Sequence, residues 1–250
     1  MNLTIVTTKH SKESAKVLGE ALDCPVYNPY EELWYKGVIN TDPIRYNMGC
    51  AGYEEYPLVF NHHEQIATCI HKIHTLEKLR LKGVLTVPYT RDIRKAQEWL
   101  DEDTVVVNRE RITGKANEGL HYSFKNAERY EDTPLVPLSK FWTRHVNHDQ
   151  ELRAYCIAGK DPIVLHKENA GGYWSFHKVG HPEQKLLDQL ALASRAFNKM
   201  FTVAYDILHA KTGDYYFLEA NSAPSLLVHP ILIPTLSSAI KEKLNATRHS

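Results

Sequence analysis

Two carboxylates on one face of a single hairpin constrain this chain more than any other feature. The stretch FTVAYDILHAKTGDYYFLEANSAP, Phe201 to Pro224, holds two runs rich in β-branched and aromatic residues, Val203 to Ala210 and Tyr215 to Asn221. Between them lies Lys211-Thr212-Gly213-Asp214, with a glycine available for a positive φ. A turn closing symmetrically over these residues pairs Ala210 with Tyr215, Leu208 with Phe217 and Asp206 with Glu219. Asn221 then falls on the same face as Glu219, since strand side chains alternate. Like charges directly opposite each other on a ladder repel. A divalent cation between them reverses that sign, and Mg²⁺ takes oxygen ligands from carboxylates together with substrate phosphates. Asp206, Glu219 and the Asn221 amide oxygen therefore read as half of a Mg–nucleotide site. A solvated acidic hairpin is the alternative, and a one-residue slip would turn Asp206 to the other face.

The whole chain narrows the classes. Lys+Arg and Asp+Glu both total 30 in 250 residues, which argues against a strong, sequence-blind hold on nucleic acid. Cys24, Cys50, Cys69 and Cys156 form no CxxC pair, so reduced thiols and a cytoplasmic setting are expected. The opening MNLTIVTTKHS is too short and polar for a signal peptide, and no run reaches membrane-spanning length.

Along the chain, an apolar strand at Leu3–Val6, a polar turn and a helix over 14–22 begin a doubly wound unit. Val26 starts a further strand, and Pro57 to Phe60 reads as another. The tyrosine-rich 29–56 segment is unassigned. Asn61 and Glu64 match a capping box at the head of a helix carrying Ile66, Ile70, Ile73, Leu76 and Leu79. His71 and His74 on that helix invite a zinc reading, but no Cys or fixed third ligand completes it, and exposed histidines account for them. A second helix spans 92–100, and the strand Thr104–Val107 delivers Asn108 and Arg109. The polar loop between Gly114 and Gly119 follows. A cation at a strand end before a glycine-bounded loop suits phosphate, while a flexible hairpin loop fits equally well. Residues 125–133 read as a linker and 134–142 as an extended connector. Glu151 to Ile157 alternates as a strand bearing Arg153, and Pro162 to Lys167 returns. Trp174, Phe176 and His177 form an aromatic loop. Pro182 opens a helix running to Met200.

In this order the parts resemble the ATP-grasp superfamily, in particular short, phage-type forms related to peptide ligases. The resemblance covers residues 61–228. Its most specific part is Leu218-Glu-Ala-Asn-Ser-Ala-Pro224, similar to the family's LEVNTxPG, with Ala204-Tyr-Asp206 before it. The segment Ile70 to Leu79, followed by Gly83 and Pro88, looks like NKxxTxxxLxxxGVPxP. The implied class is α/β (α+β): an N-terminal α/β domain (1–60), a central ATP-grasp subdomain with the phosphate loop (61–136), and a C-terminal subdomain with the metal hairpin (137–250).

The resemblance also implies roles. Lys72, Arg109 and the loop from Gly114 would contact nucleotide phosphates. The connector Ser139, Lys140, Phe141 and Trp142 would be the hinge under adenine. Asp206, Glu219 and Asn221 would hold Mg²⁺ or Mn²⁺. Arg153 would meet the transferred phosphoryl group, with Lys167 assisting. Members usually activate a carboxylate as an acyl phosphate that an amine or thiol displaces, and a minority are kinases. A small-molecule, peptide or modified-base substrate is implied, with no membrane partner, and contacts are expected from 29–56 and 168–180. Many relatives are dimers, which leaves a homodimer open. If the chain is phage-encoded, the compartment is the host cytoplasm. The chain departs from the pattern in its loop: Asn117 replaces a central glycine of GHSGRG, Ala116 removes a hydroxyl, and Glu118 brings a negative charge. Ser225 follows Pro224 where glycine is common. A nucleotide-binding module without turnover is therefore a further alternative.

Overall fold

Short apolar strands separated by one amphipathic helix build the first layer. In the computed structural model, β1 (Leu3–Thr7) leads into α1 (Lys12–Leu22) and then β2 (Val26–Asn28), which lies parallel to β1. Gly19 lets α1 sit close: a Cβ there would lie 2.5 Å from Val26 Cγ2. β3 (Leu33–Tyr35), β4 (Ile44–Met48) and β5 (Leu58–Phe60) complete the sheet in the order β3-β2-β1-β4-β5. The described residues are 3–7, 11–28, 33–35, 44–48, 58–102, 104–110, 120–123, 135, 139–170 and 173–248.

The expected long helix is broken. α2 (His63–Ile70) and α3 (Lys72–Arg80) are separated by His71, whose φ of −97° and ψ of 101° are extended. Thr75 Oγ1 bonds back to Thr68 O at 2.9 Å across the break. The capping box does not form either. Asn61 sits one residue too early, with φ 62°, and its Oδ1 accepts from the N–H groups of Phe201 and Thr202 at 2.7 and 2.9 Å. The segment after Gly83 runs beside a later strand.

β6 (Tyr89–Thr90), α4 (Ile93–Asp101), β7 (Val106–Arg109), β8 (Leu120–Ser123) and β9 (Phe141–Arg144) form the second layer, an antiparallel sheet ordered β6-β9-β7-β8. Ala96, Trp99 and Leu100 of α4 pack on Val106, Leu135 and Trp142. The third layer holds β10 (His148–Ile157), β11 (Ile163–Ala170), β12 (Tyr173–Lys178), α5 (Gln184–Ala196), β13 (Thr202–Ala210) and β14 (Tyr215–Asn221). Its sheet is antiparallel, in the order β12-β11-β10-β13-β14. The expected aromatic loop around Trp174 is thus an edge strand. Alternation of Tyr173, Ser175 and His177 with Trp174, Phe176 and Lys178 carries the period-2 signal. Leu85 and Val87 exchange backbone hydrogen bonds with Phe217 and cover the β14 edge.

The two faces of this sheet divide the core. Leu152, Ala154, Val164, Tyr205 and Phe217 pack under α5 with Ile66 of α2. On the other face, Tyr155, Ile157, Leu165 and Ala204 meet Leu3, Ile5 and Leu18 of the first layer. α6 (Leu232–Arg248) seals that junction with Leu232, Leu236 and Ile240. None of the helices among the described residues is long and apolar enough to cross a membrane.

Asn61→Ala should lower unfolding free energy by about 3 kcal/mol in chemical denaturation, because it leaves two buried N–H groups unpaired at a left-handed position. Asn61→Asp, which keeps the acceptor, should lose markedly less. Equal losses in the two variants would show that the acceptor is not what matters.

Candidate functional site: an opposed carboxylate pair

The hairpin places Asp206 opposite Glu219, by a route that differs from the symmetric turn. Gly213, at φ 82°, donates to Ala210 O, and Ala210 N donates to Asp214 O. The loop is therefore three residues long, a tight turn followed by a left-handed glycine. This shifts the first pairs by one: His209 faces Tyr215, Leu208 faces Tyr216 and Ile207 faces Phe217. The expected Ala210–Tyr215 and Leu208–Phe217 pairs do not form. A bulge between Asp206 and Ile207 then restores the register, so that Asp206 faces Glu219 and Ala204 faces Asn221.

Each carboxylate is met by a cation from a different element. Arg153, opposite Asp206 on β10, donates from Nε to Oδ1 at 2.6 Å and from Nη2 to Oδ2 at 2.7 Å. Lys72, the first residue of α3, donates from Nζ to Glu219 Oε2 at 3.1 Å. Asn221 Nδ2 donates to the other Glu219 oxygen at 3.2 Å. Asp206 and Lys72 are 4% and 8% exposed, so these pairs are screened little by solvent. Burial pushes the Glu219 carboxyl up, but Lys72 and the Asn221 amide outweigh it and bring it from an ordinary 4.5 to about 2. The Asp206 carboxyl goes the other way: burial raises it, the charge of Glu219 adds to that, and Arg153 opposes both. The pair titrates as one unit.

A cleft of about 150 Å³ opens beside the pair, between the second and third layers. Arg109 lines it from the end of β7, its Nε donating to Thr143 Oγ1 at 3.3 Å and its guanidinium 5.7 Å from the Phe141 ring. Burial holds the Arg109 pKa below its ordinary value. Asn108, next to it, is buried and braces three strands: its Nδ2 donates to His121 O and Ser123 Oγ, and its Oδ1 accepts from Trp142 Nε1. Lys167 reaches the cleft from β11, donating to Glu151 Oε2 at 3.0 Å with its ammonium 4.0 Å from the Trp174 ring. Four cations, Lys72, Arg109, Arg153 and Lys167, thus gather around three carboxylates, Glu151, Asp206 and Glu219.

Not every expected residue reaches this place. Trp142 is buried in the core under α4, Phe141 lies beneath Arg109, and neither lines the cleft. Ser139 is buried and Lys140 is exposed before β9. The wall of the cleft is instead formed by the next residues, Thr143, Arg144, His145 and Val146, with Tyr122 and His148. The strand ends at Arg144, and alternation after Trp142 was the signal that the following residues turn to the cleft. Gly114 and its loop lie outside the described residues, as does Cys50. Cys24 and Cys69 are buried and free, and Cys156 is free and half-buried.

The histidines of α2 and α3 serve local ends. His71 Nδ1 accepts from His74 N, and their rings stack at 3.7 Å. His62, His63 and Glu64 bring ligand atoms within 4.8 Å of one another, with Lys199 Nζ 3.4 Å from Glu64. A larger cavity, about 790 Å³, lies between α5 and the far ends of β10 and β11, with Asp161 as its sole carboxylate among the described residues.

No protein-family model and no curated sequence matches the chain. Solved structures do. An ATP-grasp ligase, PsnB, complexed with a phosphomimetic variant of a minimal precursor, Mg and ADP, superposes with a TM-score of 0.71 at 13% identity, covering 98% of this chain and 99% of its own. The D-alanyl-alanine synthetase A of Vibrio cholerae gives 0.68 at 13% identity, over 100% of this chain and 99% of its own. The D-alanine–D-alanine ligase of Bacillus anthracis complexed with ATP gives 0.65 at 12%, over 96% and 92%. Layers, strand order and these superpositions agree: the chain has the ATP-grasp fold.

Proposed function

We propose that the chain is an ATP- and Mg²⁺-dependent ligase that joins a carboxylate to an amine or a thiol through an acyl phosphate. The observation that carries this reading is the Asp206/Glu219 pair, opposed on the hairpin and ringed by four cations at the cleft. Its donor set fits a hard divalent cation, being oxygen throughout with Asn221 and containing no thiolate or imidazole. An excess of basic side chains around it suits a polyanion. The solved structures of similar fold include ligases complexed with ATP, with ADP and Mg, and with precursor peptides, which supports a small-molecule or peptide substrate.

In this reading Asp206, Glu219 and Asn221 would hold Mg²⁺. When bound, the metal supplies positive charge to the phosphate oxygens during transfer. Lys72 and Arg109 neutralise the phosphates. Arg153 holds Asp206 in place through its planar fork, a positioning role rather than a direct meeting with the transferred group. Lys167, supported by Glu151 and Trp174, faces the cleft from the substrate side. A substrate carboxylate oxygen takes the terminal phosphoryl group of ATP and ADP leaves. The amine or thiol then attacks the acyl carbon, phosphate departs, and the nucleophile's proton passes to solvent. The chain's contribution is alignment and charge neutralisation. A cleft of about 150 Å³ is below the ~300 Å³ at which ligand pockets begin, so its walls separate to admit a nucleotide. Glu118 in the loop supports a second reading, a module that binds nucleotide without turnover.

Product stoichiometry tests the reaction class. With a matched carboxylate and amine or thiol, ADP and free phosphate should appear in equal amounts. ADP with a stably phosphorylated product and no free phosphate would mean a kinase, and binding without ADP would mean the inactive module. Asp206→Asn and Glu219→Gln should each weaken Mg-dependent ATP binding by at least about 100-fold in calorimetry, with the far-ultraviolet dichroism unchanged. Unaltered affinity in both would remove the site assignment.

The pH dependence of stability has a definite sign. Folding lowers the Glu219 carboxyl from 4.5 to about 2. Its ionisation therefore stabilises the fold above pH 4.5, and that contribution is lost as pH falls towards 2. Relative to Glu219→Gln, the native chain should lose its stability advantage across that window. A difference that stays constant from pH 5 to pH 2 would contradict the shift.

A further inference from the structure

Each of the four oxygens of the Asp206/Glu219 pair accepts a hydrogen bond from Arg153, Lys72 or Asn221. A divalent cation arriving alone would have to displace a buried positive charge and leave it without a partner, which is costly. The two basic residues differ in how easily they let go. Arg153 grips Asp206 with two bonds, at 2.6 and 2.7 Å, from the middle of β10, and its guanidinium lies 5.8 Å from the Phe176 ring. Lys72 holds Glu219 by one bond of 3.1 Å on a flexible four-carbon stem. It stands at the first position of α3, directly after the extended break at His71, on a different layer from Glu219.

We propose that Lys72 is the resident counter-ion of Glu219, occupying the carboxylate that a divalent cation needs, so that metal enters together with a polyphosphate rather than ahead of it. The polyphosphate gives the ammonium a new partner near Arg109, and Glu219 is released to the metal. This deepens the nucleotide reading above and rests on it for the second half of the exchange. The first half, competition between Lys72 and metal for Glu219, stands on the ion pair alone.

Mn²⁺ serves as the probe, its free concentration read by electron paramagnetic resonance with and without ADP. Without ADP, Lys72→Met should bind Mn²⁺ at least tenfold more tightly than the native chain. Lys72→Arg, which keeps the charge, should show no such gain, and the gain should vanish in Lys72→Met/Glu219→Gln. With ADP, the native chain should bind Mn²⁺ more tightly than either ADP or the chain does alone, and Lys72→Met should lose affinity for ADP. Native Mn²⁺ affinity equal to or above that of folded Lys72→Met, without ADP, overturns the proposal. Should Lys72→Met fail to fold, Lys72→Gln makes the same comparison, and a native chain that binds Mn²⁺ as tightly without ADP as with it also overturns the proposal. If ADP changes nothing in any variant, the nucleotide reading fails and the release step with it, while the comparison without ADP still decides the competition.

Discussion

Two carboxylates facing each other across adjacent strands are the constraint around which the molecule is arranged. Left alone, Asp206 and Glu219 would push β13 and β14 apart. The structure answers with one cation from each side: Arg153 from the neighbouring strand of the same sheet, Lys72 from the layer above. Buried ion pairs of this kind add little net stability, because desolvation offsets most of their attraction. Their presence at the centre of an otherwise apolar sheet is what marks a site rather than a core.

Along one face of the C-terminal sheet, chemistry changes by position. Tyr155, Ile157, Leu165 and Ala204 are buried against the N-terminal sheet. One step along the strands come Arg153, Asp206 and Glu219. Further still, Leu208 and Leu218 pack with Leu76 and Val87 of the central layer. Apolar burial at both ends supplies the stability that the ionic middle does not. It also sets the height of the cleft, since α3 carries both Leu76, which packs, and Lys72, which reaches the carboxylate.

The hairpin was legible because strand alternation and a glycine turn speak locally, and because the two errors in register cancelled. The loop is one residue shorter than a symmetric turn, and a bulge near Asp206 returns the missing step. Bulges leave little trace in a single sequence, so the pairs nearest the turn were misassigned while the functional pair was right. Asn61 looked like a cap because its chemistry is that of a cap. Its partners, Phe201 and Thr202, lie 140 residues away in sequence and are invisible to local reasoning. The strands at 33–35 and 44–48 were missed because they are short and set among tyrosines and glycines without clear period. Trp142 was assigned to the hinge because it sits in the right stretch, but its indole N–H finds the buried Asn108 and fixes it in the core. The C-terminal helix was readable from Leu232, Leu236, Ala239 and Ile240, which recur at helical spacing.

The account stands on nucleotide binding at the carboxylate pair, and thermal unfolding of the native chain tests that most directly. With ATP or ADP at ~100 times its Kd and Mg²⁺ present, stability should rise by about 2.7 kcal/mol. For a chain of this size the midpoint should climb by roughly 5 °C or more, and EDTA should abolish most of the rise. No shift with any nucleotide at millimolar concentration, with or without Mg²⁺, would contradict the account and leave the pair without a ligand.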